Sequence, residues 1–594
     1  MVRAVIIAIA LAACLLACEG RQRAGTLTSS GTREPREGPA VLVFDLSGGL
    51  PEQQSTGLLG LPSKTPSLDE LIHEVERLAR ETNARGVLVR LGTSRIGLAR
   101  ATEVGAMFAA VGAKFPVWCH ADDLGNETLY LAARACRRVW LSPAGTVDAI
   151  GLAAQLVYFH RLLTDKLGLE VDFLQVGKYK GAEEPFTRDG PSPEARASLE
   201  STLGGLRQEW LQGLHGARPP VTDHASEDGP YSAEDARQRG LIDDIGYFDD
   251  ARDALEKSAA AVRAEVRLGA GVRPNSGDEL SELLRALAGE SFGSAPVALV
   301  RATGAISMES AGGVLPESGG IVERRLVRTL AHLEKNEDVR AVVLRIDSPG
   351  GSALASDLLW HALMQLRKRK PVVVSIGGMA ASGGYYLASS GSVVFADETS
   401  IVGSIGVVGG KIAVDQALQR IGIHAETIAA KTGDPSAAAR AAYESLLDPW
   451  DAATRVRLQE TMTSIYQLFL ARIAEGRAIP IDLVSASAEG RIFSGRDAKA
   501  RGLVDEIGGL KDAIVRARAM AGLATDAAVA VAGESPGLLG AFVDDEGRAE
   551  SPASRLRTMA AGVAPELLPL VESLEPVVDQ GTALCVLPFA LTVR

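Results

Sequence analysis

The sequence predicts an α/β fold made of two tandem copies of one domain. Three pairs of similar segments occur in one order: GVLVRL at 86–91 and AVVLRI at 341–346, TLYLAA at 128–133 and GYYLAS at 384–389, and YSAEDARQRGLIDDIG at 231–246 and FSGRDAKARGLVDEIG at 493–508. Their shifts are nearly constant (341 − 86 = 255, 384 − 128 = 256 and 493 − 231 = 262). Recurrence in one order at one spacing indicates a duplicated domain. In each copy, short apolar strands alternate with amphipathic helices, which predicts a largely parallel sheet.

The first copy is assigned to residues 39–267. It begins at Ala40 with the β-type run VLVFDL. A helix at Leu68–Ala79 and a buried strand at Val87–Leu91 come next, followed by a strand at Pro116–Cys119 and a helix at Glu127–Ala135. Strands of four to eight aliphatic residues between helical segments are typical of parallel α/β units.

Residues 268–294 are interpreted as a connecting segment that carries one helix, Glu279–Ala288. The second copy, residues 295–532, repeats the order of the first. Residues 533–594 form a tail that has no counterpart in the first copy and to which no role is assigned. The tail contains one apolar stretch, Ala583–Val593, which is too short for a membrane-spanning helix.

The amino terminus has the features of an export signal. Arg3 precedes an uncharged apolar run, Ala4–Ala17, and small residues lead into Cys18. Leu15–Cys18 resembles the bacterial lipobox, whose cysteine is lipidated and becomes the first residue of the mature protein. Leu11–Cys14 fits the same pattern but leaves a shorter apolar region, so Cys18 is preferred; a plain cleaved signal or a short anchor is the alternative. Residues 19–38 are rich in Gly, Ser, Thr, Arg and Glu and are interpreted as a flexible tether.

The composition limits the classes of function. The chain has 594 residues, too many for one compact core, and its net charge of −12 argues against nucleic acid as a partner. Its five cysteines form no CxxC pair, so neither a zinc site nor a disulfide framework is expected. Its eight histidines are scattered without an HExxH motif. The sequence therefore predicts no metal and no cofactor.

A glycine turn in the second copy is the first candidate functional element. Ser348-Pro349-Gly350-Gly351 directly follows a predicted strand and precedes a helix. Adjacent glycines allow the backbone to approach a ligand closely and to turn its N–H groups inward. Such amides suit an oxyanion hole, which holds the negative charge that develops during acyl transfer. A tight turn without a ligand is the alternative interpretation.

Ser382 is the candidate nucleophile. It follows the strand Pro371–Ile376 and a glycine-containing segment, and it directly precedes the apolar helix Tyr385–Ala388. A hydroxyl at such a junction lies beside the free amides of a helix start. The segment is not a GxSxG elbow, because Ala380 occupies the position of the first glycine. A serine that only caps the helix is the alternative.

A nucleophilic serine needs a base, and the sequence offers lysine rather than histidine. His361 lies in a helical pattern, and His424 lies in the predicted strand IGIHAETI at 421–428. Lysine is the other known partner of serine, provided that burial suppresses its charge. In the first copy, Lys178 and Lys180 follow the strand VDFLQV at 171–176, and each is also readily interpreted as a surface charge.

The two copies have lost complementary parts of one site. In the first copy, Asn126 aligns with Ser382, and residues 93–96 (TSRI) replace the glycine turn. In the second copy, residues 427–435 lack the Tyr-Lys pair of the first. This pattern predicts a single composite site with the nucleophile from one copy and the base from the other, either within one chain or between neighbouring chains.

Four motifs resemble the long, duplicated signal peptide peptidases of the S49 serine peptidase family. They are Ser348–Gly351, Met379–Tyr385 (MAASGGY), Gly403–Gly406 (GSIG) and Tyr179–Phe186 (YKGAEEPF), within a similarity that spans 40–532. The resemblance implies a fold similar to Clp protease and crotonase, with repeated ββα units. It also implies that Ser382 is the nucleophile, Lys180 the general base and Ser404 the residue that orients the lysine. Amides near Gly350, Gly351 and Gly383 would form the oxyanion hole.

The resemblance further implies a membrane-associated homo-oligomer, commonly a tetramer, that degrades signal peptides after their release from preproteins. We therefore expect a serine endopeptidase in the bacterial cell envelope, anchored by a lipid at Cys18, facing the periplasm and cutting unfolded apolar peptides. One alternative is an inactive peptide-binding scaffold of the envelope. Another is an acyl-CoA enzyme of the crotonase type, which the export signal disfavours. The sequence leaves open the cleavage preference and the choice between inner and outer membrane.

Overall fold

The computed structural model describes residues 38–52, 65–78, 80–219, 221–269, 295–308, 320–431, 433–434, 436–532 and 584–586. The signal at 1–18 with Cys18, nearly all of the tether, the helix at 279–288 and most of the tail lie outside the described residues. The side chains of 584–586 are likewise not described.

The strands follow the predicted order and are generally longer than predicted. In the first copy they are β1 Ala40–Asp45, β2 Ala84–Gly92, β3 Val117–Ala121, β4 Arg138–Leu141, β5 Thr146–Val147, β6 Glu170–Val176, β7 Tyr231–Ser232, β8 Asp244–Ile245 and β9 Arg263–Leu268. In the second copy and tail they are β10 Val297–Thr303, β11 Ile306–Ser307, β12 Ile321–Val322, β13 Ala341–Ser348, β14 Gly350–Ser352, β15 Val372–Ala381, β16 Val393–Ala396, β17 Ile401–Gly403, β18 Val407–Ala413, β19 Ile492–Ser494, β20 Glu506–Ile507, β21 Val529–Ala532 and β22 Leu584–Val586.

The helices alternate with these strands. They are α1 Leu68–Leu78, α2 Leu98–Gly112, α3 Asn126–Ala135, α4 Glu184–Thr187, α5 Pro193–Ala217, α6 Asp223–Glu227, α7 Ala233–Gln238, α8 Phe248–Ser258, α9 Glu323–Lys335, α10 Ala353–Arg369, α11 Gly383–Ala388, α12 Asp415–Arg420, α13 Ala437–Ala441, α14 Ala452–Arg477, α15 Ile481–Ala486, α16 Gly495–Ala500 and α17 Leu510–Met520, with one π-helical turn at Leu162–Lys166.

Both copies form the same parallel sheet, which confirms the α/β class and the tandem duplication. The first sheet has the order β8-β4-β3-β2-β1-β9, and the second contains the matching order β20-β16-β15-β13-β10-β21. Their central strands, such as β13 (AVVLRIDS), are near-continuous aliphatic runs because helices or a second sheet cover both faces. All these strand pairs are parallel, so their carboxyl ends meet at one edge of each sheet.

The amphipathic pattern of the helices explains how they pack. Helix α1 buries Leu68, Leu71, Ile72, Val75 and Leu78, which recur at the spacing of one helical face. The largest core contains buried side chains of both copies, including Phe108 and Val104 from the first and Val343 and Val373 from the second. The two copies therefore fold against each other around shared apolar side chains.

A third sheet joins the two copies and has the order β12-β11-β14-β22-β18-β6. Strand β6 of the first copy pairs antiparallel with β18 of the second, from Val407 opposite Val176 to Ala413 opposite Glu170. This pairing carries the segment after β6, which includes Lys178 and Lys180, to the carboxyl edge of the second copy's sheet.

The strand predicted around His424 is wrong. Residues 423–429 form no strand, whereas His361 lies on helix α10 as expected. A strand needs a neighbour that pairs with its N–H and C=O groups. Among the described residues, β18 occupies the place beside β6, and no strand pairs with 423–429.

The expectation that the cysteines signal no disulfide is also wrong at one pair. Cys119 on β3 and Cys136 after α3 are joined by a disulfide, and both residues are buried. They are 17 residues apart in the sequence, and the strand-helix unit between them brings its two ends together. Sequence spacing did not reveal the pair because helix packing creates this proximity.

Candidate active site

Ser382 lies at the point where β15 ends and α11 begins. Its backbone has φ +54°, a conformation that side-chain-bearing residues rarely adopt. Its N–H donates to the carbonyl of Gly403 at 2.7 Å, and its own carbonyl accepts from Tyr386 N–H at 2.9 Å. Residues held in such strained conformations concentrate at functional sites, because the surrounding structure must hold them there.

The two glycines after Ser382 bring this turn against the glycine turn of β14. A Cβ atom on Gly383 would lie 2.6 Å from Ser356 Oγ and 3.2 Å from Gly350 Cα. A Cβ atom on Gly384 would lie 2.6 Å from the carbonyl oxygen of Ser348. Any side chain at either position would push the two turns apart, so the sequence Ser-Gly-Gly is required for their contact.

Lys180 brings its amine to Ser382. Its Nζ lies 2.8 Å from Ser382 Oγ, and both residues are 0 % exposed. The side chain fills space that two glycines leave free: a Cβ on Gly490 would lie 2.5 Å from Lys180 Cα, and one on Gly406 would lie 3.2 Å from Lys180 Cδ. Lys180 of the first copy and Ser382 of the second are therefore in contact within one chain.

Ser404 holds the same amine from the other side. Lys180 Nζ donates to the backbone carbonyl of Ser404 at 2.9 Å and to its Oγ at 3.0 Å. Ser404 also has a positive φ, +52°, and its N–H donates to the carbonyl of Arg491 at 2.6 Å. The amine is thus fixed by three oxygen atoms that belong to Ser382 and Ser404.

The geometry distinguishes the two lysines that the residue pattern left open. The side chain of Lys178 is 57 % exposed and its Nζ lies 3.6 Å from Glu489 Oε2. The side chain of Lys180 is instead enclosed, with 0 % of the residue exposed. A surface ion pair of this kind contributes little to stability and has no part in the serine–lysine contact.

The glycine turn of β14 is held by Ser348. The N–H of Gly350 donates to Ser348 Oγ at 3.1 Å, and that hydroxyl donates to the carbonyl of Gly304 at 2.7 Å. The Gly350 amide is therefore engaged in this structure. Gly351 packs against Ile306 so closely that a side chain would overlap its backbone. Gly351 and Gly383 lie beside each other, since the Cβ position of Gly383 is 3.2 Å from Gly351 N.

Asn126, the counterpart of Ser382, serves the structure of the first copy. It begins helix α3 after β3, and its Nδ2 donates to the carbonyl of Gly151 at 2.8 Å. Its Oδ1 accepts from Ile150 N–H at 3.0 Å. Where the second copy has a serine, the first copy therefore has an amide that braces α3 against the following loop.

Glu183 is a titratable group of the lysine segment that sequence reasoning missed. It is 8 % exposed, and burial raises its pKa to about 8. A hydrogen bond with its own backbone and the charges of Lys180 and Arg188 oppose this rise in pKa, whereas the charge of Glu184 adds to the effect of burial. In the sequence, the motif YKGAEEPF showed two adjacent acidic residues near Lys180 but did not indicate that the carboxyl of Glu183 is buried.

A buried ion cluster links the copies behind the site. The guanidinium of Arg345 on β13 donates to Glu52 at 2.9 Å and to Glu103 at 2.8 Å, and both carboxylates belong to the first copy. Burial opposes ionisation of Glu52, but Arg345 and Arg100 outweigh it and hold its pKa at about 2. In the sequence, Arg345 was marked only by its alignment with Arg90 of the first copy, and this alignment did not identify Glu52 and Glu103 as its partners.

Neither a metal-binding cluster nor a membrane-spanning helix is found among the described residues. No group of three or more His, Cys, Asp or Glu side chains there is arranged to hold a metal ion. Within the same residues, no helix combines the length and the apolar character needed to cross a bilayer.

Comparison with known proteins places this geometry in a family. The sequence model described as "Peptidase family S49" matches residues 109–263 and 364–524, together a little over half of the chain. Protease 4 of Salmonella typhi is 29% identical over 524 residues, which cover 83% of this chain and 80% of that protein. The chloroplastic serine protease SPPA of Arabidopsis thaliana is 29% identical over 491 residues, which cover 82% of this chain and 69% of that protein.

A second Protease 4, from Haemophilus influenzae, is 31% identical over 431 residues, which cover 70% of this chain and 66% of that protein. The family model matches twice, once in each copy, in agreement with the duplicated sheets. The chain belongs to peptidase family S49 and is a serine peptidase of the long, duplicated form.

Proposed function

We propose that this peptidase uses a Ser382–Lys180 dyad to degrade released signal peptides and other unfolded apolar peptides at the membrane of the cell envelope. The single observation that carries the dyad is the 2.8 Å contact between Lys180 Nζ and Ser382 Oγ, made by two fully buried residues from different copies. An inactive scaffold would have no need to enclose a lysine amine against a serine hydroxyl.

In the proposed mechanism, uncharged Lys180 accepts the proton of Ser382 as Oγ attacks a peptide carbonyl. Burial disfavours the ammonium form of an amine, and the side chain of Lys180 is fully buried. Ser404 Oγ and carbonyl oxygen hold the amine in line with Ser382. The lysine then protonates the leaving amine, and water hydrolyses the acyl-enzyme.

The amides of Gly351 and Gly383 are the proposed oxyanion donors. They lie on the two glycine turns that meet beside Ser382, and preorganised amides stabilise the charge of the tetrahedral intermediate. Gly350 takes part through the same turn, although its own N–H donates to Ser348 Oγ here. Ser348 therefore acts as a positioning residue for the glycine turn.

Cleavage of a quenched apolar peptide by the full-length protein in detergent tests the dyad. Ser382→Ala and Lys180→Met should each reduce kcat/KM at least about a thousandfold, because removal of a nucleophile or its base disables the chemistry. Lys178→Met is the matched control and should stay within about twofold of wild type, since its exposed amine contacts Glu489 and lies over the ring of Tyr179. Equal thermal stability of the variants excludes misfolding.

Activity that survives Ser382→Ala would refute the dyad. A folded wild-type protein that cuts no apolar peptide but binds it would instead favour the scaffold function.

We place the protein in the bacterial envelope, facing the periplasm and anchored by a lipid on Cys18. The lipobox-like segment Leu15–Cys18 after an apolar run supports this location. The Cys119–Cys136 disulfide supports it independently, because disulfides persist in oxidising compartments and are rare in the cytosol.

A homotetramer is the proposed assembly. The duplication within the chain supports an interface between two chains. Residues 152–158 are the counterpart of β18 (407 − 152 = 255), and residues 424–430 are the counterpart of β6 (424 − 170 = 254). Within the chain β6 pairs with β18, whereas 152–158 and 424–430 form no strand, although Ala154 takes part in a single β-bridge. Val157 is 56 % exposed and Ile428 is 84 % exposed, so these segments present apolar side chains to solvent. Pairing of 152–158 in one chain with 424–430 in a neighbouring chain would repeat, between chains, the pairing of β18 with β6.

A further inference from the structure

The paired strands β13 and β15 lose their regular register just before they reach the active site. The register shifts between Ile346 and Ser348 of β13. Residues 377–379 of β15 form a bulge there, opposite the single residue Asp347. Bulges bend a strand and redirect the side chains beyond them, and they are frequent beside active sites. This bulge ends shortly before Ser382, so whatever holds it also determines where that serine lies.

The carboxyl group of Asp347 holds this bulge. Its Oδ1 accepts from the backbone N–H of Met379 at 3.1 Å, while its backbone carbonyl accepts from the N–H of Gly304 at 2.9 Å. A Cβ atom on Gly378 would lie 3.2 Å from Asp347 Oδ1, so the glycine leaves room for the carboxyl. Asp347 therefore ties β15 to the end of β13, directly before the glycine turn that begins at Ser348.

The two turns of the proposed oxyanion hole leave the sheet beside Asp347. Strand β13 leads into the turn of Gly351, and β15 leads through Met379 into the turn of Ser382 and Gly383. The Cβ position of Gly383 is 3.2 Å from Gly351 N, so the two turns are in contact. Their amides can stabilise one oxyanion only if the ends of the two strands keep their separation. The hydrogen bond from Met379 N–H to Asp347 fixes that separation.

The first copy gives an internal comparison. Its residue at the equivalent position is Gly92 (347 − 255 = 92), and Asn126 stands in place of Ser382. The carboxyl is thus present in the copy that has the serine and absent from the copy that lacks it. The register shift between β2 and β3 also differs, because it places the extra residue on β2, between Arg90 and Gly92.

We propose that Asp347 is a positioning residue of this peptidase: by accepting the Met379 N–H, it fixes the two oxyanion turns relative to Ser382. The inference deepens the proposed mechanism and rests on it. Asp347 lines a cavity of about 730 Å³ whose walls come from both copies. Truncation of its side chain enlarges this existing space, so a variant should lose little packing.

The role as acceptor does not require a charge. Burial raises the pKa of Asp347, and the charge of Glu52 raises it further. Arg345, Arg100 and the N–H of Met379 oppose this rise in pKa. A carboxyl oxygen accepts an N–H whether the group is ionised or protonated, and the amide oxygen of asparagine does the same. Asp347→Asn should therefore preserve the contact.

The test measures kcat and KM separately, with the quenched apolar peptide and the full-length protein in detergent. Asp347→Ala should lower kcat about a hundredfold and leave KM within about threefold, because misplaced amides weaken binding of the transition state more than binding of the substrate. Asp347→Asn should restore kcat to within about fivefold of wild type. Asp122→Ala is the matched control and should keep kcat within about twofold. It removes a half-buried carboxyl at the same edge of the first copy's sheet, where Asp122 accepts from Ser142 Oγ.

Gly378→Ala tests the same contact without removal of the carboxyl. Its Cβ atom would crowd Asp347 Oδ1, so kcat should fall as it does in Asp347→Ala. The double variant should be no slower than the slower single variant, since both changes break one hydrogen bond. Wild-type kcat in both single variants would overturn the positioning role. An Asp347→Asn protein as slow as Asp347→Ala, or a loss confined to KM, would overturn it as well.

Labelling with a fluorophosphonate, which reacts with an activated serine, separates this inference from the proposed nucleophile. Labelling of wild type but not of Ser382→Ala supports the nucleophile, and slower labelling of Asp347→Ala supports the positioning role. Labelling and cleavage that survive Ser382→Ala refute the proposed mechanism. Equal rates of labelling and cleavage in wild type and Asp347→Ala, with Ser382→Ala inert, refute only the role of Asp347.

Discussion

Lys180 reaches Ser382 because Gly406 and Gly490 leave the space that its side chain occupies. Ser404 then supplies two oxygen atoms to the amine, and Ser348 ties the glycine turn through Gly304 and Gly350. In the proposed mechanism, Gly406, Gly490 and Ser348 do not take part in the chemical steps. They determine where the reactive atoms lie, and small errors in such positions cost large factors in rate.

The raised pKa of Glu183 should make the stability of the folded protein depend on pH. Its folded pKa of about 8 lies above the ordinary glutamate value of 4.5, so the folded state binds the proton more tightly than the unfolded state. Stability from this group is therefore fully present below about pH 4.5 and is lost as the pH rises to about 8. Glu183→Gln removes the titration, so the variant should gain several °C in Tm relative to wild type between pH 5 and pH 8.5.

The control for this measurement is Glu200→Gln on helix α5, whose side chain is 66 % exposed. Its Tm should follow wild type at every pH. A Tm difference between Glu183→Gln and wild type that is constant from pH 5 to pH 8.5 would contradict a raised pKa at Glu183.

Short elements decide the architecture of the site. Strand β14 has only three residues, yet it adjoins β11 on one side and β22 on the other and carries the glycine turn between them. Strands β6 and β18 come from different copies, and their antiparallel pairing brings the lysine segment to the nucleophile. Each of these pairings joins segments far apart in the chain, so local pattern did not identify them.

The disulfide that joins the ends of the β3–α3 unit makes the proposed compartment testable. Protein purified from the envelope without reductant should carry the Cys119–Cys136 disulfide. Trypsin cuts after Arg134, so the link appears in mass spectra as peptide 115–134 joined to peptide 135–137. The intact mass should also show loss of residues 1–17 and a lipid on Cys18. Closure of a loop of this size stabilises by about 3 kcal/mol, so reduction should lower Tm by a few °C.

Protein retained in the cytosol by deletion of residues 1–18 is the control and should contain free thiols at both positions. Envelope protein with both thiols free and an unprocessed amino terminus would contradict the proposed location.

The whole molecule is a duplication in which, under the proposed mechanism, the first copy supplies the base and the second the nucleophile. The shared core and the Arg345–Glu52–Glu103 cluster join the copies, so that a site built from both is held as firmly as one within a single domain. Removal of one partner of a buried ion cluster leaves an uncompensated charge, which is strongly destabilising. Correct packing of the copies is therefore a condition for the dyad.

Segments 152–158 and 424–430 predict the register of the proposed interface between chains. Within one chain Gly409 lies opposite Leu174. The equivalent pair between two chains is Ala154 opposite Ile428. Directly opposite residues on paired strands are close enough for a disulfide. The double variant Ala154→Cys, Ile428→Cys should therefore form crosslinked dimers and higher species on a non-reducing gel.

Ala154→Cys combined with Val515→Cys is the control, because Val515 is exposed on helix α17 and has no place in this register. A monomeric mass in detergent, or equal crosslinking of both double variants, would contradict the proposed interface.

The sequence alone determined the duplication, the α/β class, the Ser382 junction and the division of the site between two copies. Those features depend on local periodicity, on glycine positions and on repetition, all of which are written in consecutive residues. Tertiary structure distinguished Lys180 from Lys178, joined Cys119 to Cys136, left the strand expected near His424 unformed and paired the short strand β22 with β14. Each of these outcomes depends on strand pairing or side-chain packing between segments that are distant in the chain. The free energy of such contacts cannot be read from the pattern of consecutive residues.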